Sequence, residues 1–124
     1  MPPELLRLTS PDQLDALLEE SASRPVLLFK HSVSCGTSAY AFDELQDLLS
    51  GTEAGNVRYA VVIVQSDRAT SNAVAARLGV RHETPQALLL RDGRVVWSGS
   101  HHRLTADNLA KAVATHGNAD AVRL

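Results

Sequence analysis

The chain has 124 residues, 44% of them apolar and 21% charged, with a formal net charge of -2. Those figures describe one globular domain with its own core, neither disordered nor charged in a way that would draw it to nucleic acid or an anionic membrane. No apolar stretch nears the roughly 20 residues that cross a bilayer, the opening MPPELLRLTS lacks the pattern of a secretion signal, and the one cysteine cannot close an internal disulfide, so a reducing cytoplasm is the expected compartment.

Leu5 to Leu8 reads as a short extra edge strand. In LTSPDQLDALLEE, Ser10 caps a helix, Pro11 suits its first position and Gln13 completes a capping box, with Leu14, Leu17 and Leu18 on one face. Arg24-Pro25 ends that unit. VLLFKH, Val26 to His31, is an apolar run of strand length, as expected for a strand covered on both faces. HSVSCGTSAY follows, after which Ala39, Phe42, Leu45 and Leu49 recur at helical spacing up to a turn at Gly51–Gly55. VRYAVVIV, Val57 to Val64, is the second buried strand, and a helix through Ala73, Ala76 and Leu78 is stopped by Gly79. QALLLRDGRVVWSG is two strands joined by an Asp92-Gly93 hairpin turn, with Trp97 as a packed aromatic. Thr105 caps a last helix carrying Leu109, Ala112 and Val113, Gly117 closes it, and the tail 117–124 is expected to fray.

The long crossover between the two apolar strands makes them parallel, and the Asp-Gly turn makes the last pair antiparallel. The closure expected is an α/β, thioredoxin-like fold: one domain over 1–124, with a mixed four- to five-stranded sheet and helices on both faces.

Cys35 falls between a strand and a helix. At a helix start its thiol would lie over unsatisfied backbone N–H groups and the positive end of the dipole, a setting that favours the nucleophilic thiolate. Gly36 would let backbone approach closely, and Thr37 and Ser38 offer hydroxyls to a negative sulfur. Ser38 stands where a dithiol oxidoreductase carries its second cysteine, so the sequence implies a one-thiol exchanger. His31, at the end of the first buried strand, would stabilise the thiolate as a cation, a satisfied strand-end histidine being the alternative. Thr84-Pro85, just before a strand, is a place for a cis proline whose preceding residue offers its backbone to a disulfide-linked partner. His101 is a further candidate for thiol binding, His102 belongs to a solvated loop, and His82 and His116 read as structural or exposed. No histidine pair has a metal-ligand spacing with another strong ligand, and a lone cysteine cannot build a zinc site, so no metal is expected.

Several motifs together resemble the monothiol bacilliredoxins of the thioredoxin superfamily. FKHSVSCGTS matches the family's Phe-Lys-His-Ser, two variable residues and Cys-Pro-Ile-Ser at Phe29 to Ser32, Cys35 and Ser38. Val64, Gln65, Arg68, Ser71 and Asn72 are similar to its VQ…R…SN stretch, RHETPQA (Arg81 to Ala87) to its KHESPQA, and Trp97, Ser100, His101, Leu104 and Thr105 to its Trp-x-x-Ser-His stretch. The resemblance implies a disulfide oxidoreductase that removes bacillithiol from S-thiolated proteins through Cys35. Bacillithiol would be a co-substrate rather than a resident cofactor, the partners would be S-thiolated proteins and a low-molecular-weight thiol, and the chain would act as a monomer. A host without bacillithiol would use glutathione, coenzyme A or another carrier. Gly36-Thr37 replaces the family's Pro-Ile and approaches the Cys-Gly-Phe-Ser of monothiol glutaredoxins, which hold a [2Fe–2S] cluster between two subunits; that is the second reading. A binding module with an inert Cys35 is the third.

Overall fold

The two apolar runs become the middle of the sheet. The structure, a computed structural model, describes residues 3–116. In chain order it contains β1 (Leu5–Arg7), α1 (Pro11–Glu20), β2 (Val26–His31), α2 (Gly36–Ser50), β3 (Arg58–Ile63), α3 (Arg68–Leu78), β4 (Gln86–Arg91), β5 (Arg94–Ser100), a 3₁₀ turn (His101–Arg103) and α4 (Ala106–His116). The strands lie in the order β1-β3-β2-β4-β5. β1 and β2 flank β3 in parallel, while β2–β4 and β4–β5 are antiparallel. The expected edge strand is β1, so the sheet has five strands.

The alternation of β2 explains why it reads as uniformly apolar. Leu27 and Phe29 join the core under α2 and α4, with Leu45, Leu48, Leu109 and Val113. Val26 and Leu28 join the core under α1 and α3, with Leu14, Leu17 and Val74. Both faces are covered, so Val26–Phe29 are apolar in both phases of the strand, and polar residues enter only at its end. Each fully buried leucine or phenylalanine contributes about 1.5–3 kcal/mol relative to leaving it in water. By the same alternation Lys30 belongs to the α1/α3 face and His31 to the α2/α4 face.

Local signals set the boundaries. Ser10 caps α1, its side chain accepting from the Gln13 N–H while the Gln13 side chain accepts from the Ser10 N–H. Asp92 and Gly93 both have positive φ (52° and 73°), as a primed hairpin turn requires. The tip of that hairpin is fastened to the end of α1, the Asp92 and Gly93 N–H groups donating to Ser21 O and Oγ at 2.9 and 2.8 Å. Gly79 takes the left-handed conformation that ends α3. The Asn108 N–H donates to Thr105 Oγ1 (3.1 Å), so Thr105 does cap α4. Gly117 and the tail 117–124 lie outside the described residues.

Two helical stripes differ from expectation. On α2 the buried positions are Ser38, Ala41, Leu45, Leu48 and Leu49, Phe42 is half-buried, and Ala39 is exposed. A serine takes the inward place near the helix start because it bonds to the end of β2. On α3 the buried positions are Thr70, Ser71 and Val74, and Ala76 faces solvent.

The register brings four chain segments to one end of the sheet. His31 is opposite Ile63, Lys30 is opposite Gln86, and Gln86 is opposite Ser100. The loops after β2, β3 and β5 and the loop before β4 therefore share that end.

Candidate active site

Cys35 is free and half-buried, and it is the N-cap residue of α2. Its backbone is extended (φ -115°, ψ 123°) and its side chain forms no capping hydrogen bond. The carbonyl of Cys35 already accepts from the Ala39 N–H at 3.0 Å, so the helix starts at the next residue. The sulfur thus stands at the unsatisfied N–H end of a 15-residue helix.

Gly36 and Thr37 form the first turn of α2. A Cβ placed at Gly36 would have nothing within 4 Å. The glycine therefore leaves open surface beside the sulfur; no backbone is packed against it, contrary to the expected close approach. Val33 and Tyr40, on either side in sequence, are strongly exposed apolar side chains.

Ser38 departs from its expected role. Its Oγ lies 2.8 Å from His31 Nδ1 and accepts from the Ser32 N–H at 2.9 Å. The side chain is fully buried, and no hydrogen bond joins it to the sulfur among the described residues. The hydroxyl is committed to the end of β2, to His31 and Ser32, rather than to Cys35. His31 is corrected with it. The ring stacks on Phe42 (centroids 4.6 Å apart, planes at 20°), and burial pushes its pKa below the ordinary 6.5. A pKa below 6.5 leaves the ring uncharged at neutral pH, bonded to Ser38 and stacked on Phe42 as a satisfied strand-end histidine.

The loop before Cys35 is held by a residue to which sequence reasoning gave no role. Gln65, two residues beyond β3, accepts from the Val33 N–H at 3.2 Å and donates to Ser32 Oγ (2.7 Å) and Ser34 Oγ (3.1 Å). One amide therefore fixes three consecutive residues of the approach to the nucleophile.

The Thr84–Pro85 peptide bond is cis, as the sequence allowed. Pro85 is buried at the head of β4, and its carbonyl accepts from the His101 N–H at 3.1 Å. Neither the N–H nor the C=O of Thr84 has a partner among the described hydrogen bonds. His101 touches this loop through its backbone, with positive φ (55°), while its side chain is exposed like that of His102. Cys35, Gly36, Thr37, Ser38, His31, Thr84, Pro85 and His101 thus gather at one end of the sheet, with Ser38 and Pro85 buried and His31 half-buried.

Lys30 and His82 were also missed as a pair. Lys30 is fully buried near the end of β2, and its Nζ is 2.8 Å from His82 Nδ1. A lysine inside an otherwise apolar run of strand length was the available sign, since a buried charge must find a partner. Among the described residues, no three of His, Cys, Asp or Glu are grouped so as to hold a metal ion. No described helix is long and apolar enough to cross a membrane.

A family model described as the monothiol bacilliredoxin BrxC matches residues 6–109 of the chain. A solved structure described as a candidate oxidoreductase with a thioredoxin fold superposes with a TM-score of 0.76 at 32% identity, covering 87% of this chain and 92% of its own. Malassezia sympodialis thioredoxin (TM-score 0.74, 15% identity, 94% of each chain) and Fasciola hepatica thioredoxin (0.71, 20%, 90% of this chain and 99% of its own) share the fold.

Proposed function

The chain belongs to the monothiol bacilliredoxin family, and we propose that it removes bacillithiol, or a similar small thiol, from protein mixed disulfides through Cys35. Thiol–disulfide exchange is the chemistry this family and fold support. The observation that carries the finer reading is the free Cys35 at the N-cap of α2, with a buried serine in place of a second thiol.

The Cys35 thiolate attacks the bacillithiol sulfur of the mixed disulfide in line with its S–S bond. A new S–S bond forms between Cys35 and bacillithiol, the old one breaks, and the target protein leaves as a thiolate that takes up a proton. The negative charge shared by the sulfurs lies at the helix start, where backbone N–H groups face it. Thr84 lends its free N–H and C=O to the partner's backbone, and the exposed Val33 and Tyr40 give the partner an apolar rim. A second bacillithiol thiolate then attacks the cap on Cys35, releasing the oxidised small-thiol dimer and the Cys35 thiolate. Atoms and electrons balance without a metal or a resident cofactor. The reaction belongs in a reducing cytoplasm that holds the small thiol.

The test is intact mass after offering oxidised bacillithiol, oxidised glutathione and oxidised coenzyme A in parallel. The expected result is a bacillithiol adduct on Cys35 that excess thiol releases, absent in Cys35→Ser. An adduct with another carrier alone replaces the substrate, and no releasable adduct refutes the exchange reading.

A further inference from the structure

The segment Arg81–Pro85 carries Thr84 to the active end, and it is held at three points. Gln86 Nε2 donates to Arg81 O at 3.0 Å, Lys30 Nζ meets His82 Nδ1 at 2.8 Å, and the His101 N–H donates to Pro85 O at 3.1 Å. Lys30 and Gln86 are cross-strand partners, so two of the three holds come from one register position of the central strands. Glu83 and Thr84, between the second and third holds, make no backbone hydrogen bond among those described.

Lys30 is an unusual residue to use for this. It is fully buried, and no carboxylate lies within ion-pair distance of it among the described residues. The polar atoms on the elements beside it are neutral. Thr70 Oγ1 and Ser71 Oγ on α3, and Gln86 Oε1 on β4, are buried and without partners. β3 offers Val62 as its register partner. The charged groups about His82 are Lys30 and Arg68 from α3, with Arg81 and Glu83 as chain neighbours. The two charges that act on the His82 ring, Lys30 and Arg68, are both cations.

We propose that Lys30 and His82 are positioning residues for the exchange reaction: their contact holds the Arg81–Pro85 segment so that the Thr84 backbone meets a partner, and it lets go when His82 takes up a proton. This rests on the exchange chemistry proposed above. An ammonium can donate to Nδ1 only while that nitrogen keeps its lone pair, which requires the neutral, Nε2-protonated imidazole. Protonation removes the acceptor and places a second cation against the first. The ring of His82 is solvent-exposed, so protons reach it. Burial, then the charges of Lys30 and Arg68, hold its pKa below the ordinary 6.5, and burial brings Lys30 down to about 8. Around neutral pH the pair therefore rests as ammonium donor and imidazole acceptor, and acid opens it.

The test compares single-turnover exchange on an S-bacillithiolated protein with exchange on bis(2-hydroxyethyl) disulfide, which has no peptide to seat on Thr84. Both need the same thiolate, so titration of Cys35 cancels in the ratio of the two efficiencies. From about pH 7.5 to 5.5 that ratio should fall severalfold in the parent through a rise in apparent KM, and go on falling toward about pH 5, as the imidazole loses its lone pair. His82→Gln, whose carbonyl accepts from Lys30 at either pH, should hold the ratio high, and Lys30→Met should keep it low at both. NMR gives a readout independent of exchange and of whether Lys30→Met folds: the Thr84 amide should shift with the His82 titration and stay still in His82→Gln. A flat ratio in the parent, an equal fall in His82→Gln, or a Thr84 amide that ignores His82 overturns the proposal. If Cys35 reacts with neither disulfide, the exchange reading fails, and the Thr84 amide still decides whether the contact positions the loop.

Discussion

Replacing Ser38 by alanine separates a structural hydroxyl from a catalytic one. The substitution removes an oxygen bonded to the Ser32 N–H (2.9 Å) and to His31 Nδ1 (2.8 Å). Ser32 is buried, so its N–H finds no water and bears the full cost of a lost partner, about 1–3 kcal/mol. His31 is half-buried, and its nitrogen recovers part of its loss from solvent. The sum is about 2 kcal/mol, or roughly 6–10 °C in Tm for a chain of this length. Urea unfolding followed by circular dichroism should show the midpoint lowered by about 1 M with an unchanged slope. Because no bond joins Ser38 to the sulfur, alkylation of Cys35 by iodoacetamide should change by less than about twofold across the pH range. A stability loss under about 0.5 kcal/mol would place the substitution among ordinary surface changes and refute the account. A collapse of alkylation at full stability would return the hydroxyl to the sulfur.

Other positions are as accessible to test. A Cβ at Gly99 would lie 2.9 Å from Trp97 Cη2 and 3.3 Å from Leu104 Cδ2. Gly99→Ala should therefore destabilise by about 1–3 kcal/mol and shift the fluorescence of the lone tryptophan; an unshifted spectrum would put the ring elsewhere. Gln65→Ala should leave Tm within about 1 kcal/mol of the parent yet raise backbone mobility of Ser32–Ser34 in NMR relaxation, because the exposed amide is the shared anchor of that loop. Gly36→Pro places proline at the first position of α2, where its missing N–H is not needed, and should stabilise by about 0.4–1 kcal/mol in urea. Acid should weaken the fold in a definite window. The pKa values of His31 and His82 are lowered by folding, so their contribution is complete above the unfolded value of about 6.5 and is lost as pH falls through the folded values. Unfolding free energy that stays level from pH 7 down to about 5 would contradict this.

Much of the architecture was legible because each signal is local. The Ser10 capping box, the Asp92-Gly93 turn, the Gly79 stop and the bounds Val26–His31 are short-range features, and all are found. The position of Cys35 before a helix followed from the same grammar. What could not be read is which way a hydroxyl or an imidazole points. Ser38 and His31 are seven residues apart, and their bond depends on the pitch of α2 against β2. Gln65 lies 33 residues from Ser32, and His82 lies 52 from Lys30, so both meetings are products of sheet register. The inward face of α3 was misjudged for a related reason: Thr70 and Ser71 are buried polar residues, and an apolar period passes over them.

The serine in place of a second thiol has a stoichiometric consequence. A dithiol that closes on itself consumes one small disulfide and releases two small thiols, so its oxidised fraction depends on the square of the thiol concentration. In the exchange proposed above, a chain with Cys35 alone would trade one disulfide for one thiol. Its capped fraction follows the plain quotient of the two, and diluting the whole pool leaves it where it was. Such a protein gauges how oxidised its thiol supply is, and takes no account of how large that supply is.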